Sequence, residues 1–322
     1  MKVFVTRRIP EKGLELLEKE LDEVEVFRYD RIPSKEEIIK GLEGKDGLLC
    51  LLTDKIDRDV IFSEPKLKAI SNYAAGFDNI DVEAATKKKI PVCNTPGVLT
   101  DATAELAWAL LFAVARRVVE GDRFVREGNF RGWSPTLLLG KELRGKTLGI
   151  IGAGRIGTAF ALKSRGFDMK VLYFNRSKNE VIEEKLGAKK VELKELLKES
   201  DFISIHLPLT PETHHLIGRK EIDMMKSDAI LINTARGAII DEDALIDALE
   251  NGKILGAGLD VYEHEPEVSE RLKRLSNVVI LPHIGSATLE TRTEMARLAA
   301  MNLIKSLRGE KPDYCVNPEV FE

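Results

Sequence analysis

The sequence has no glutamine and only three cysteines in 322 residues. Cys50, Cys93 and Cys315 form an odd and scattered set without metal-ligand spacing, so we expect reduced thiols, no disulfide framework and no metal site. The missing glutamine and the charged fraction of 32% are typical of proteins adapted to heat, in which thermolabile amides are scarce and ion pairs are dense. This composition indicates adaptation to high temperature and does not indicate what chemistry the protein performs.

The chain also lacks a large net charge and a long apolar segment. With a formal charge of -4 and a pI of about 5.9 it has no overall basic field, so nucleic acid and acidic membrane surfaces are not expected as partners. No apolar run is long enough to span a bilayer, and residues 1–6 have a strand pattern rather than that of a signal peptide. The sequence therefore predicts a cytoplasmic protein.

What the sequence does contain is a regular alternation of strand and helix patterns. Its near-continuous apolar runs predict parallel strands that are covered by helices on both faces. The predicted strands cover residues 3–6, 24–27, 48–52, 68–72, 91–93, 146–151, 170–174, 202–207, 229–233, 257–260 and 278–281. Helices are predicted at about 10–20, 103–115, 158–165 and 289–308, with a further helix starting after the capping-box residue Ser34.

This order predicts an α/β fold with two Rossmann-like or flavodoxin-like domains, each with a parallel sheet, and a cleft between them. Because a single helix follows the second domain, we expect the first domain to be discontinuous. It would comprise residues 1–98 and 288–322 and bind the substrate, while residues 99–287 would bind a dinucleotide. The helix at 103–115 is apolar nearly all round, so it must be buried between domains or in a dimer.

The strand at residues 146–151 runs directly into Gly152-Ala-Gly-Arg-Ile-Gly157, where a helix pattern begins. Gly152 permits a tight turn, Gly154 leaves room for phosphates, and Gly157 lets the helix pack close to the strand. The flanking strand and helix supply the context that a dinucleotide-binding motif requires. The alternative is a purely structural turn between a strand and a helix.

The next predicted strand ends in Asn175-Arg-Ser-Lys178, where an NAD-binding unit would carry an acidic residue for the ribose hydroxyls. Arg176 and Lys178 offer positive charge there, and Asn175 and Ser177 offer hydrogen-bond donors, which suits a 2′-phosphate. We therefore predict NADP(H) as the preferred cofactor and leave the use of NAD(H) open. The alternative is a solvated basic turn.

Three candidate catalytic residues, Arg236, Glu265 and His283, follow strand ends in the second domain, at the sheet edge that also carries the glycine loop. Histidine titrates closest to neutral pH, so His283 could donate a proton to a developing alkoxide, and Glu265 would orient its ring and favour the protonated form. Arg236 would bind a carboxylate and polarise a carbonyl. Each has a structural alternative, as a satisfied histidine, a turn carboxylate or an ion pair at a helix end.

Four motifs carry a resemblance that covers nearly the whole chain. They are Asn72-Tyr-Ala-Ala-Gly-Phe-Asp-Asn-Ile-Asp81, Asn94-Thr-Pro-Gly-Val-Leu-Thr-Asp101, Phe130-Arg-Gly-Trp133 and the segment from Gly145 to Gly157. Together they resemble the D-isomer-specific 2-hydroxyacid dehydrogenase family, and within it the glyoxylate reductases of thermophilic archaea. Arg236, Glu265 and His283 match the catalytic set of that family.

The resemblance also implies binding residues. Backbone amides at Ala75 and Gly76 would take the substrate carboxylate, with Leu52 at the wall of the pocket and Arg236 as a further substrate ligand. Besides Gly152, Gly154, Asn175, Arg176 and Ser177, the implied cofactor contacts are Thr103, Arg155, Ile156, Leu207, Pro208, Thr213, Thr234, Ala235, Asp260, His283 and Gly285.

The implied activity is reduction of small 2-oxo acids, glyoxylate first and hydroxypyruvate second, by a homodimer built largely through the helix near Trp108. Glu265 stands where the related formate dehydrogenases have glutamine, which favours carbonyl reduction with an acid. One alternative is a phosphoglycerate or D-lactate dehydrogenase on the same fold. Another is a non-catalytic regulator that senses nucleotides.

Overall fold

Two parallel sheets, one of five strands and one of seven, organise the chain in the computed structural model, which describes residues 1–322. The chain divides into two units, Met1–Leu99 with Ser286–Glu322, and Thr100–Gly285. The predicted fold class, with two α/β domains that each contain a parallel sheet, is confirmed. No helix combines the length and the apolar composition that a bilayer-spanning segment needs.

The five-stranded sheet of the first unit has the order β2-β1-β3-β4-β5, which is the flavodoxin-like order. Its elements are β1 (Lys2–Val5), α1 (Glu11–Glu20), β2 (Glu23–Val26), α2 (Lys35–Leu42), β3 (Gly47–Leu51), α3 (Arg58–Ser63), β4 (Ala69–Tyr73), α4 (Val82–Lys87) and β5 (Val92–Cys93). Ser34 caps α2 as predicted: its Oγ accepts from Glu37 N at 3.3 Å, and Glu37 Oε2 accepts from Ser34 N at 2.8 Å.

The seven-stranded sheet of the second unit has the order β12-β11-β10-β9-β6-β7-β8, a Rossmann order with one added strand. Its elements are α5 (Thr100–Ala115), α6 (Val118–Arg126), β6 (Thr147–Ile151), α7 (Arg155–Lys163), β7 (Lys170–Phe174), α8 (Glu180–Leu186), β8 (Lys189–Lys190), α9 (Leu193–Glu199), β9 (Phe202–Ile205), α10 (Arg219–Ile222), β10 (Ile230–Asn233), α11 (Glu242–Glu250), β11 (Gly256–Leu259), α12 (Glu270–Arg274) and β12 (Val278–Ile280). The strand order reverses between β6 and β9, which is where such sheets bind ligands.

The last long helix, α13 (Leu289–Leu307), belongs to the first unit. Ser71 Oγ donates to Ala299 O at 2.8 Å, and Asn302 Nδ2 donates to Asn94 O at 3.0 Å. Helix α1 packs so closely on α13 that a Cβ built at Gly13 would lie 2.8 Å from Ala296 Cβ. The helix therefore completes one face of the five-stranded sheet.

The apolar helix predicted at 103–115 is α5, and much of its surface is buried within its own unit. Trp108 is 6% exposed, stacks on Phe160 with ring centroids 4.9 Å apart and on Phe167 at 5.3 Å, and donates from Nε1 to Phe160 O at 3.0 Å. The helix packs against α7, β10 and β11 of its own unit. The side of α5 around Trp108 is therefore buried within the second unit, and the homodimer through this helix stays a prediction.

Candidate active site

The glycine loop after β6 has the packing that a pyrophosphate requires. Gly152 has a φ of +97°, and a Cβ built on it would lie 2.8 Å from the carbonyl carbon of His206. A Cβ at Gly157 would lie 2.0 Å from Gly152 O, whereas one at Gly154 would meet no atom within 4 Å. Packing therefore requires two of the glycines, and the third leaves the backbone open to a ligand.

Helix α7 begins directly after this loop, with Arg155 and Ile156 as its first residues. Gly154 is its N-cap, no side chain caps its first N–H groups, and no acidic residue lies in its first turn. The positive end of the helix dipole therefore faces no carboxylate of its own turn, which favours an anion. Asn179 Nδ2 fixes the loop by donating to Ala153 O at 2.9 Å.

The basic turn after β7 is connected to the glycine loop. Asn175 Oδ1 accepts from Ala153 N at 3.3 Å, and Asn175 Nδ2 donates to Ser177 O at 3.1 Å. Arg176 is exposed, and Lys190 Nζ, a cation that the sequence reasoning did not identify, donates to Arg176 O at 2.8 Å. The turn therefore brings an additional positive charge beside the predicted position of the 2′-phosphate.

The hydroxyl of Thr213 stabilises the turn in the segment after β9. It donates to Pro208 O at 2.7 Å and accepts from Thr210 N at 2.8 Å. Leu207 and Pro208 precede this turn, and Leu207 Cδ2 would lie 2.9 Å from a Cβ at Gly152. The predicted contacts of this segment thus border the glycine loop at the point where the strand order reverses.

A second group of predicted cofactor residues lies around Asp260, directly after β11. Asp260 is fully buried, its Oδ1 accepts from Ile284 N at 2.8 Å, and its Oδ2 has no hydrogen-bond partner. A Cβ at Gly285 would lie 3.3 Å from Asp260 Oδ2 and 3.4 Å from Thr103 Cγ2. Burial raises the pKa of Asp260.

The predicted cofactor residues Thr234 and Ala235 directly follow β10. The buried Thr234 Oγ1, like Asp260 Oδ2, has no hydrogen-bond partner.

Glu265 and His283 are in direct contact. His283 Nδ1 lies 2.8 Å from Glu265 Oε2, and Glu265 Oε1 accepts from Tyr262 N at 3.0 Å. Tyr262 Oη donates to Leu281 O at 2.7 Å, which joins the loops after β11 and β12. The Glu265 carboxylate is therefore held by the backbone and orients the imidazole, whose Nε2 is left for another ligand.

Arg236 lies in the neighbouring loop, after β10. Asn233 Nδ2 donates to Arg236 O at 2.8 Å, and Arg236 Nη1 donates to Ala235 O at 2.9 Å. The following Gly237 packs so tightly that its Cβ would lie 1.9 Å from the carbonyl carbon of Tyr262. Because β10, β11 and β12 are adjacent strands, the loops that carry Arg236, Glu265 and His283 lie side by side.

The predicted substrate residues Leu52, Ala75 and Gly76 lie in the first unit, after the neighbouring strands β3 and β4. Asn72 Nδ2 donates to Gly76 O at 2.9 Å, and Asn94 Nδ2 donates to Ala75 O at 2.7 Å. These bonds hold the carbonyls of the loop and so set the direction of its backbone. The binding role assigned to Leu52, Ala75 and Gly76 stays a prediction.

Two of the other histidines have partners of their own. His206 Nε2 lies 2.9 Å from Ser204 Oγ, and burial lowers the pKa of His206 to about 3, so its ring is neutral near pH 7. His215 Nε2 lies 2.6 Å from Glu263 Oε1, and the rings of His214 and His215 are 4.0 Å apart.

The chain is similar over nearly its whole length to proteins with known names. The family described as "D-isomer specific 2-hydroxyacid dehydrogenase, NAD binding domain" matches residues 108–285. Glyoxylate reductase of Thermococcus litoralis is 54% identical over 99% of this chain and 98% of its own length, and that of Pyrococcus horikoshii is 50% identical over 100% and 97%. The solved structure of an NADPH-dependent glyoxylate/hydroxypyruvate reductase from Sinorhizobium meliloti, in complex with NADP and malonate, has a TM-score of 0.88 and 31% identity over 100% of this chain and 98% of that one.

Proposed function

The chain belongs to the D-isomer specific 2-hydroxyacid dehydrogenase family, and from that premise we propose that it reduces glyoxylate to glycolate and, second, hydroxypyruvate to D-glycerate. As a member of this family it is an NAD(P)-dependent dehydrogenase that acts on a small oxo acid. The observation that carries the proposal is the contact between His283 Nδ1 and Glu265 Oε2, at the sheet edge that also carries the glycine loop.

The second unit fits a nicotinamide dinucleotide. The open space at Gly154 and the uncapped start of α7 suit a pyrophosphate. The buried, unpartnered Asp260 Oδ2 suits a donor such as a carboxamide NH₂ group, because a buried acceptor without a partner is costly. When bound, the reduced nicotinamide supplies the hydride for the carbonyl carbon.

The protein side of the reaction is a proton transfer at His283. Because Nδ1 is engaged by Glu265, Nε2 is the nitrogen that would hold the proton for the developing alkoxide. The Glu265 carboxylate keeps the ring in one orientation. The Arg236 guanidinium would bind the substrate carboxylate and polarise the carbonyl, for which its fixed fork of donors is suited.

A substrate panel tests this proposal. The loss of NADPH or NADH absorbance is followed with glyoxylate, hydroxypyruvate and pyruvate in turn. We expect the highest kcat/KM with glyoxylate, followed by hydroxypyruvate. A preference for pyruvate would instead support D-lactate dehydrogenase activity, and the absence of turnover with every 2-oxo acid would support a nucleotide-sensing protein.

The preference for NADPH rests on the basic turn. In the Arg176→Ala variant the KM for NADPH should rise about tenfold, because a charge-assisted hydrogen bond to a phosphate contributes roughly 1.5 kcal/mol or more. The KM for NADH should change little, since NADH has no 2′-phosphate. Steady-state kinetics with both nucleotides measure the difference.

Lys185→Ala is the matched control, because Lys185 is an exposed cation of α8 in the same unit. It should leave both KM values unchanged. Equal weakening of NADPH and NADH in Arg176→Ala would show that the turn does not select the 2′-phosphate.

We further propose a homodimer that forms through α6 and the segment after it. Helix α6 buries none of its residues. Apolar side chains are exposed on it and beyond it, among them Val125 (57%), Phe130 (55%), Trp133 (85%) and Leu139 (65%). Val119 of α6 and Leu139 also line a groove of about 710 Å³, together with Leu255. In a two-fold dimer the same surface of each chain forms the interface, so the exposed apolar segment of one copy would be buried in the groove of the other.

Light scattering should therefore give about twice the chain mass of 36.0 kDa. Trp133→Asp should shift the mass toward the monomer, because the charge would have to be buried in the interface. Phe62→Asp changes an exposed apolar residue of the first unit, 47% exposed, and should leave the mass unchanged. A monomeric wild-type protein would remove this part of the proposal.

A further inference from the structure

Cys93 and Cys315 face each other at the edge of the five-stranded sheet. Cys93 ends the edge strand β5, and an antiparallel bridge pairs it with Cys315 in the C-terminal segment. Val316 N donates to Val92 O at 2.7 Å, and Val92 N donates to Asn317 Oδ1 at 2.7 Å. Residues opposite each other in such a pair have Cα atoms about 4.5–5.5 Å apart, within the range of roughly 4.4–6.8 Å that disulfides require.

The two sulfurs differ in reactivity. Both cysteines are free thiols; Cys93 is buried and Cys315 is partly exposed. A hydrogen bond from the Cys93 thiol lowers the pKa of Cys315 to about 7, and the same hydrogen bond together with burial raises the pKa of Cys93. Cys315 is therefore the sulfur that is both accessible and substantially a thiolate at neutral pH.

We propose that Cys93 and Cys315 form a disulfide that ties the C-terminal segment to the edge strand when the protein meets a low-molecular-weight disulfide. The Cys315 thiolate attacks one sulfur of that reagent, whose S–S bond breaks and releases one thiolate. Cys93 then gives up its proton and attacks the Cys315 sulfur of the mixed disulfide, which releases the second thiolate. The two protein thiols lose two electrons and two protons, and the reagent is reduced to two thiols.

The disulfide would stabilise a region that is already ordered by other bonds. Asn317 Nδ2 donates to Ile90 O at 2.9 Å and to Thr86 Oγ1 at 2.9 Å, so the segment that carries Cys315 is already held beside β5. Because the two cysteines lie far apart in the chain, the link would restrict the unfolded state strongly. Intracellular disulfides of this kind occur in proteins adapted to heat, and the glutamine-free, charge-rich composition is typical of that class.

The experiment treats the full-length protein with oxidised glutathione, blocks remaining thiols and maps the peptides by mass. We expect one linked pair of peptides, Cys93 with Cys315, and a melting temperature about 5 °C above that of the reduced protein. The rate of formation should rise with pH and reach half its maximum near pH 7, where Cys315 ionises. Cys315→Ser should abolish the link and the temperature shift.

Cys50→Ser is the matched control, because Cys50 is buried in β3 and its Sγ lies 3.5 Å from Asn72 Oδ1, with no cysteine beside it. This variant should keep both the link and the temperature shift. The wild-type peptide map decides the matter even if a variant folds poorly. Glutathione that remains on Cys315 without transfer to Cys93, or a link that lowers the melting temperature, would overturn the proposal.

Discussion

Replacing His283 by asparagine should reduce the kcat for glyoxylate by roughly 10²- to 10⁴-fold, the contribution typical of general acid catalysis. Asparagine suits the position because His283 has a φ of +54°, a left-handed conformation that asparagine tolerates better than most residues. The new side chain is polar but holds no proton for transfer near neutral pH. The loss would therefore report the missing acid and not a strained backbone.

Steady-state kinetics measure the effect, and a fluorescence titration of NADPH checks that cofactor binding survives within a few-fold. His264→Asn is the matched control, because His264 is an exposed histidine of the loop that carries Glu265. It should retain the wild-type kcat. Near-full activity of His283→Asn would eliminate His283 as the proton donor, and equal losses in both variants would indicate damage to the loop.

The strands of both sheets could be predicted because buried parallel strands are near-continuous apolar runs. Residues 170–174 were predicted as a strand and form β7 with those bounds. Helix α7 begins at Arg155, three residues before the predicted start at 158, because Gly154 itself serves as the N-cap. Where an apolar pattern faces a core, the sequence therefore indicates the type of element well and its ends less well.

Several elements were not predicted, and two of them, β8 and α6, have no long apolar run. Strand β8 consists of Lys189 and Lys190, both exposed at the sheet edge, and so has no apolar run to reveal it. Helix α6 buries none of its residues, so no side of it is marked by contact with a core. For α5 the apolar surface indicated burial correctly, but only the fold shows that α7 and the sheet provide much of it.

For the candidate site, the sequence indicated at which edge of the sheet the residues lie, but not which side chains contact each other. Because Glu265 and His283 both follow strand ends, the sequence predicted them at the same edge of the sheet. Their 2.8 Å contact also depends on Tyr262, whose backbone N–H donates to the Glu265 carboxylate. Lys190 beside Arg176 depends on the pairing of β7 with β8. Contacts between residues far apart in the chain are set by tertiary packing, which a local pattern does not encode.

Replacing Arg236 by glutamine should lower kcat/KM for glyoxylate by roughly 10²- to 10³-fold, the cost of removing one donor that stabilises developing negative charge. The loss should appear in both constants. KM should rise because the carboxylate loses a charged, bidentate partner, and kcat should fall because the carbonyl oxygen loses a donor in the transition state. Arg236→Lys should recover only part of the loss, since an ammonium lacks the planar fork.

Arg219→Gln is the matched control for this variant, because Arg219 is an exposed arginine of the same unit whose partner is Asp247. It removes one positive charge from the unit without touching the loops after β10, β11 or β12, so kcat and KM should stay at wild-type values. A rise in KM with an unchanged kcat in Arg236→Gln would mean that the guanidinium binds the substrate equally in the ground state and the transition state. In that case polarisation of the carbonyl would have to come from another donor, such as the Nε2 proton of His283.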